Sequence, residues 1–173
     1  QSTNRSTKEM EDPMKLFTDY QLAIIKFCAA ECERQGSGEL SVAGMVAAWQ
    51  YAAERFDVVQ DITEEDIDVM AKLIEPEKNR NGYRHVPVHF GDFNILPWEA
   101  VPRQVCVLLT ATRDMSPRDF YLEYEGIHPH KDGNGRLGAI LFNVLNGTLY
   151  CPVTPPPFQM RAIVVAGVRT SAS

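Results

Sequence analysis

Glu125-Gly126-Ile127-His128-Pro129-His130-Lys131-Asp132-Gly133-Asn134-Gly135-Arg136 lies between two stretches of helical periodicity, and its reading decides the rest of the chain. Upstream, Pro117 to about Gly126 reads as a helix with Ser116 as its N-cap. Downstream, Leu137, Ile140, Leu141, Val144 and Leu145 mark the buried face of a helix from Gly135 to Gly147. The polar residues therefore occupy a loop that runs into a helix start. The first amides of a helix lack internal partners and carry partial positive charge, so they accept anions. Gly133 and Gly135 let the backbone approach such an anion closely, Asn134 adds a donor, and Arg136 offers a planar cation suited to paired phosphate oxygens. Asp132 stands where it can hold Mg²⁺ against the same phosphates, because Mg²⁺ takes one or two carboxylates together with phosphate and water. His128, upstream of Asp132, can accept a proton from a hydroxyl near neutral pH. Taken singly, a His before Pro is an ordinary loop residue and Asp-Gly-Asn-Gly an ordinary turn. Their conjunction in front of a helix points to phosphoryl or nucleotidyl transfer, in which positioning and charge neutralisation supply most of the catalysis. A calcium loop also begins with spaced acids, but no Asp or Glu follows here at the later ligand positions.

Outward from this loop the chain reads as mainly α. Val105, Leu108 and Leu109 mark the inner face of a helix over Pro97 to Arg113. Before it, Asn81-Gly82 makes a turn and the following residues alternate apolar with polar, which predicts a small β flap around Arg84 to Phe90. Pro87 lacks a ladder donor and confines that flap to an edge or a two-stranded ribbon. Thr63-Glu64-Glu65-Asp66 starts a helix running to about Ile74, with a capping hydroxyl and three acids at the positive end of the dipole. Two more amphipathic helices precede it, from Met14 to about Arg34 and, with Ser41 as N-cap, on to Phe56. The polar stretch 1–13 reads as flexible, Pro152 to Pro157 ends regular structure, and Ala162 to Val168 forms a short strand or part of a tail. A single domain over 14–160 with a tail over 161–173 results.

With 173 residues and 45% hydrophobic side chains, the chain can bury one sizeable core. A net charge of −6 argues against a coat for nucleic acid or an anionic membrane surface. No apolar run approaches the roughly 20 residues that span a bilayer, and the first residues lack the order of a secretory signal, so a cytoplasmic setting is expected. Cys28, Cys32, Cys106 and Cys151 are scattered, which predicts reduced thiols that mostly pack in the core.

The loop resembles the Fic motif H-x-F-x-D/E-G-N-G-R-x-x-R, with His128, Asp132, Gly133, Asn134, Gly135 and Arg136 in place and Asn143 and Leu145 in the next helix. Gly82-Tyr83-Arg84 and Val86-Pro87-Val88 resemble the flap of that family, and Leu145-Asn146-Gly147 with Pro152 its helix end. The resemblance to the Fic/Doc family, over roughly Ile74 to Pro155, implies a Fic-like helical bundle with a small β-hairpin flap. It implies transfer of a nucleoside monophosphate, usually AMP, from ATP or another nucleoside triphosphate to a protein hydroxyl. In that reading His128 is the base, Asp132 the Mg²⁺ ligand, and Gly133, Asn134, Gly135 and Arg136 the phosphate binders, while Arg84, Val86 and Val88 align the target. A target protein and an inhibitory or antitoxin-like partner come with it. Gly133 and Gly135 point away from the phosphorylating Doc branch, which carries Ala and Lys there. Two positions depart from the motif. His130 replaces Phe, giving a polar aromatic plug that needs a hydrogen-bond partner. Ala139 replaces the final Arg, which in the family helps hold the distal phosphates, and Arg80, Arg84 and Lys131 are the candidate substitutes. Two further readings compete: a degenerate domain that binds a nucleotide or partner without turnover, and a hydrolase holding Zn²⁺ through His128, His130 and Asp132.

Overall fold

Three of the helices begin where a hydroxyl meets their orphan amides, and this fixes much of the architecture. A computed structural model describes residues 18–57, 61–90, 93–94 and 96–158; the 1–13 segment, the 161–173 tail and Ala162 to Val168 fall outside the described residues. Helix α1 spans Asp19–Arg34, with Thr18 and Gln21 forming a reciprocal capping box. Thr18 itself is extended, which sets the start at Asp19 and not at Met14. Helix α2 spans Leu40–Phe56. Ser41, expected as its cap, lies inside the first turn, and the N-cap position falls to Glu39, whose side chain makes no capping bond. Helix α3 spans Glu64–Ile74 and is capped by Thr63 and Asp66 as the sequence predicts.

The stretch expected as one helix from Pro97 to Arg113 is divided. A 3₁₀ turn over Trp98–Ala100 leads into α4, Val101–Ala111, and a second 3₁₀ turn covers Thr112–Asp114. Helix α5, Pro117–Ile127, is capped by Ser116, whose hydroxyl accepts from the Asp119 amide at 3.1 Å. Helix α6 spans Asn134–Asn146. The β structure is smaller than expected: β1, His89–Phe90, pairs antiparallel with β2, Phe93–Asn94, in the register His89↔Asn94 and Phe90↔Phe93. Arg84 to Val88 are irregular. The physical reason is that this backbone is committed to the motif loop, the Arg84 amide donating to the Pro129 carbonyl at 2.8 Å, while Pro87 has no amide to offer a partner strand.

Helix α6 packs against α5, α2 and α3. Leu137, Ala139, Ile140 and Leu141 are buried on it, facing Trp49, Met45 and Ile67 in one core cluster. The Trp49 indole donates to the Leu149 carbonyl at 3.1 Å, and Asn143, fully buried, bonds the backbone of Ala139 and Val153, tying the segment after α6 to the core. Cys28 and Cys32 are buried in the core and Cys106 and Cys151 exposed, all as free thiols. Among the described residues no helix is long and apolar enough to cross a membrane.

Candidate functional site

Helix α5 ends at Ile127, and the next residue, His128, closes it in the left-handed region with φ 49° and ψ 62°. Among the described residues it is the one non-glycine with positive φ. Such a conformation costs roughly 1–3 kcal/mol and persists only where neighbours over-determine it. Arg84 does so. Its guanidinium donates to the carbonyls of His128 at 2.7 Å, Ile127 at 3.3 Å, Leu96 at 2.5 Å and Val86 at 3.0 Å. Arg84, expected on the target-aligning face, is therefore turned inward and 2% exposed, a clamp on the backbone that presents His128. Val86 is 45% exposed, and Val88 is half-buried.

The loop beyond His128 is closed by Asn134. Its side-chain oxygen accepts from the His130 amide and its nitrogen donates to the His130 carbonyl, both at 2.8 Å. The amide expected to serve a ligand is thus engaged with the loop itself. His130 is 1% exposed, its Nδ1 3.5 Å from the Tyr124 hydroxyl and its ring 5.5 Å from that of Tyr83. The ring faces the interior, and among the described residues no group of three or more His, Cys, Asp or Glu is arranged to hold a metal. The hydrolase reading is set aside on that orientation.

Gly133 is the N-cap position of α6 with φ 78°, and a Cβ there would come 2.7 Å from Ile74 Cγ2, so glycine is required twice over. A Cβ on Gly135 would lie 2.5 Å from Gln35 Oε1. The helix start is thereby flanked by the ends of α3 and α1. Asp132 sits at this start with 35% of its side chain exposed. One carboxylate oxygen accepts from the Gly133 amide at 2.6 Å and lies 3.3 Å from Arg136, and the other pairs with Lys78. Asn79 secures the backbone by donating to the Asp132 carbonyl at 2.9 Å. Arg136, 2% exposed, makes its shorter ion pair with Glu75, at 2.7 Å. Lys78, Asn79, Glu75 and Gln35 were not found from the sequence; they lie far from the motif in the chain and carry no local signal of the contact.

The charges follow from these neighbours. Burial pushes the His128 imidazole down to about 4, helped by the Arg84 cation and opposed by a hydrogen bond to the Glu125 backbone and by Asp132. Burial takes His130 to about 4 as well, with Asp68 opposing it. Burial alone would raise Asp132, but hydrogen bonds from Lys78 and Gly133 and the charges of Lys78 and Arg136 outweigh it and hold the carboxyl below its usual range. At pH 7 the site presents two neutral imidazoles and one ionised carboxylate. That carboxylate fits Mg²⁺, which is satisfied by a single protein oxygen when phosphate and water complete its shell.

A pH dependence of stability results. Both histidines have folded values below the unfolded 6.5, so the unfolded chain binds more protons in between, and stability falls as pH drops from about 6.5 to about 4. His130→Phe removes one of the two groups. Urea unfolding at pH 7 and pH 4.5 is expected to show the loss on acidification shrinking by roughly 2–3 kcal/mol in the variant. Glu125, pushed up to about 8 by burial and then by Glu31, acts in the opposite sense in both proteins and drops out of the difference. An unchanged pH response would show that His130 is not held neutral.

No family model matches the chain, and no curated protein matches it. Among solved structures it is similar to a Fic family protein from Desulfovibrio desulfuricans G20, with a TM-score of 0.53 and 19% identity over 76% of this chain and 50% of that one. It is also similar to Fic-1 from C. elegans, with a TM-score of 0.51 and 17% identity over 79% of this chain and 49% of that one. The chain spans about half the length of each of these proteins. Its helices share the fold of Fic family proteins.

Proposed function

We propose that the α5–α6 loop carries out Mg²⁺-dependent transfer of a nucleoside monophosphate, AMP by default, from a nucleoside triphosphate to a protein hydroxyl. The observation that carries this reading is the presentation of His128, clamped by Arg84 at one end of a short loop whose other end is the ionised Asp132 on the start of α6. The neutral imidazole takes the proton of the target hydroxyl. The hydroxyl oxygen forms its bond to the α-phosphorus as the bond to the β-phosphate breaks, and pyrophosphate leaves with the electron pair. Asp132 would hold Mg²⁺, which supplies charge neutralisation on the phosphates. Arg136 steadies Asp132, and Gly133 and Gly135 leave room for Ile74 and Gln35 to pack beside the helix start, whose first amides would take an anion. Val86 and Val88 lead into β1, an edge along which an extended target segment can align. The exposed free Cys106 and Cys151 suit a reducing, cytoplasmic setting.

Binding without turnover is the second reading. It is favoured by Ala139, which is 0% exposed and leaves no cation at that motif position, and by the commitment of Arg136 to Glu75. The two separate when the protein is incubated with labelled ATP, GTP, UTP or CTP and cell lysate, followed by intact mass and label on proteins. The proposed reaction gives a labelled protein with one preferred nucleotide. Tight nucleotide binding with no labelled product from any of the four leaves only the second reading.

A further inference from the structure

The carboxylate read as the metal ligand is held from outside by a lysine, and that lysine belongs to a cleft. Lys78 pairs with the outer oxygen of Asp132 while 52% of its own side chain stays exposed. It lines a cavity of about 390 Å³ together with Arg80, His85 and Lys131. This is within the range of small-ligand sites. Arg80, His85 and Lys131 are exposed, and Glu77 is the acid on the rim. The cations closer to the core are committed elsewhere: Arg136 to Glu75 and Asp132, and Arg84 to four carbonyls. Position 139 is an alanine in the core at 0% exposure, so it offers no cation to a phosphate chain starting at Asp132.

We propose that the cleft formed by residues 77–86 and Lys131 seats the distal phosphates of a nucleoside triphosphate, with Lys78 as the leading cation and Lys131 and Arg80 beside it. The inference rests on the transfer reading for the identity of its ligand. Lys78 reaches the site already: its ammonium sits on the carboxylate that the metal would take. With Asp132 holding Mg²⁺, the Lys78 ammonium would be released from the carboxylate. The ammonium, a mobile point charge on a flexible stem, turns to the phosphate oxygens on the cleft side. The exchange would keep a cation on Asp132 and supply, from the loop after α3, the cation that Ala139 does not.

Binding measured with Mg²⁺ present tests this, using ATP, AMP and inorganic tripolyphosphate as separate probes against the wild type, Lys78→Ala, Lys78→Arg and Lys131→Ala. Loss of one charged phosphate contact in an open cleft is expected to weaken ATP about tenfold, and tripolyphosphate likewise, in Lys78→Ala. Lys131→Ala loses severalfold, Lys78→Arg keeps most of the affinity, and AMP changes less than twofold in all. Melting curves establish that the surface variants remain folded. ATP bound equally by the wild type, Lys78→Ala and Lys131→Ala would overturn the cleft assignment and leave the transfer reading standing. Binding of tripolyphosphate but not of ATP would overturn the nucleotide assignment in favour of a free polyphosphate site. A wild type that binds neither would overturn both the cleft and the reading on which it rests.

Discussion

Arg84→Ala is expected to cost about 3–5 kcal/mol of stability, among the largest effects of any single substitution in this chain. The guanidinium is 2% exposed and its nitrogens serve the carbonyls of Val86, Leu96, Ile127 and His128 at once. An alanine leaves these acceptors, the buried Ile127 carbonyl among them, without their donor and opens a cavity between Val86, Leu96 and the end of α5. Arg84→Lys is expected to recover little, because a single ammonium cannot reproduce a planar fork directed at four oxygens. The left-handed turn at His128 relaxes in both variants, so transfer activity falls further than the folded fraction does. Urea unfolding of the purified proteins measures the first effect; a loss below about 1 kcal/mol would show that the clamp is not needed.

His128→Ala is expected to lower the rate of nucleotidyl transfer by about 10²–10⁴-fold while leaving nucleotide affinity unchanged, the usual contribution of a positioned base. Because the residue also occupies a left-handed conformation, His128→Asn separates chemistry from backbone. Asparagine tolerates that region better than alanine does. The two variants are expected to be equally inactive, with Asn the more stable. Rates retained in either would remove the imidazole from the reaction.

The helices were legible because their apolar residues recur at helical spacing and because Thr63 and Ser116 are capping residues placed before such runs. Their exact starts were less so. Thr18 and Ser41 are both hydroxyl residues near a helix start, yet only Thr18 takes the extended conformation that lets its side chain reach back to the helix amides. At the site, the sequence named the residues of the loop but not the partners that decide what each does. Asn134 reads as a free donor until the His130 backbone is seen to occupy both ends of its amide. Arg84 sits in a segment resembling a target-aligning flap, and only the closing of α5 against it reveals a cation surrounded by carbonyls. Glu75 and Gln35 come to the start of α6 from the ends of other helices and Lys78 from the loop after α3, a proximity fixed by packing and not by any spacing in the chain.

The most direct test of the account is a titration of isotope-labelled protein with ATP and Mg²⁺, following backbone amide resonances. The account predicts that the largest shifts fall on residues 132–136, with Lys78 moving as its ion pair with Asp132 is exchanged for the metal. Saturable binding that leaves those amides in place, and shifts instead the residues around Tyr20, Val46 and Trp49 that line a separate pocket, would contradict it.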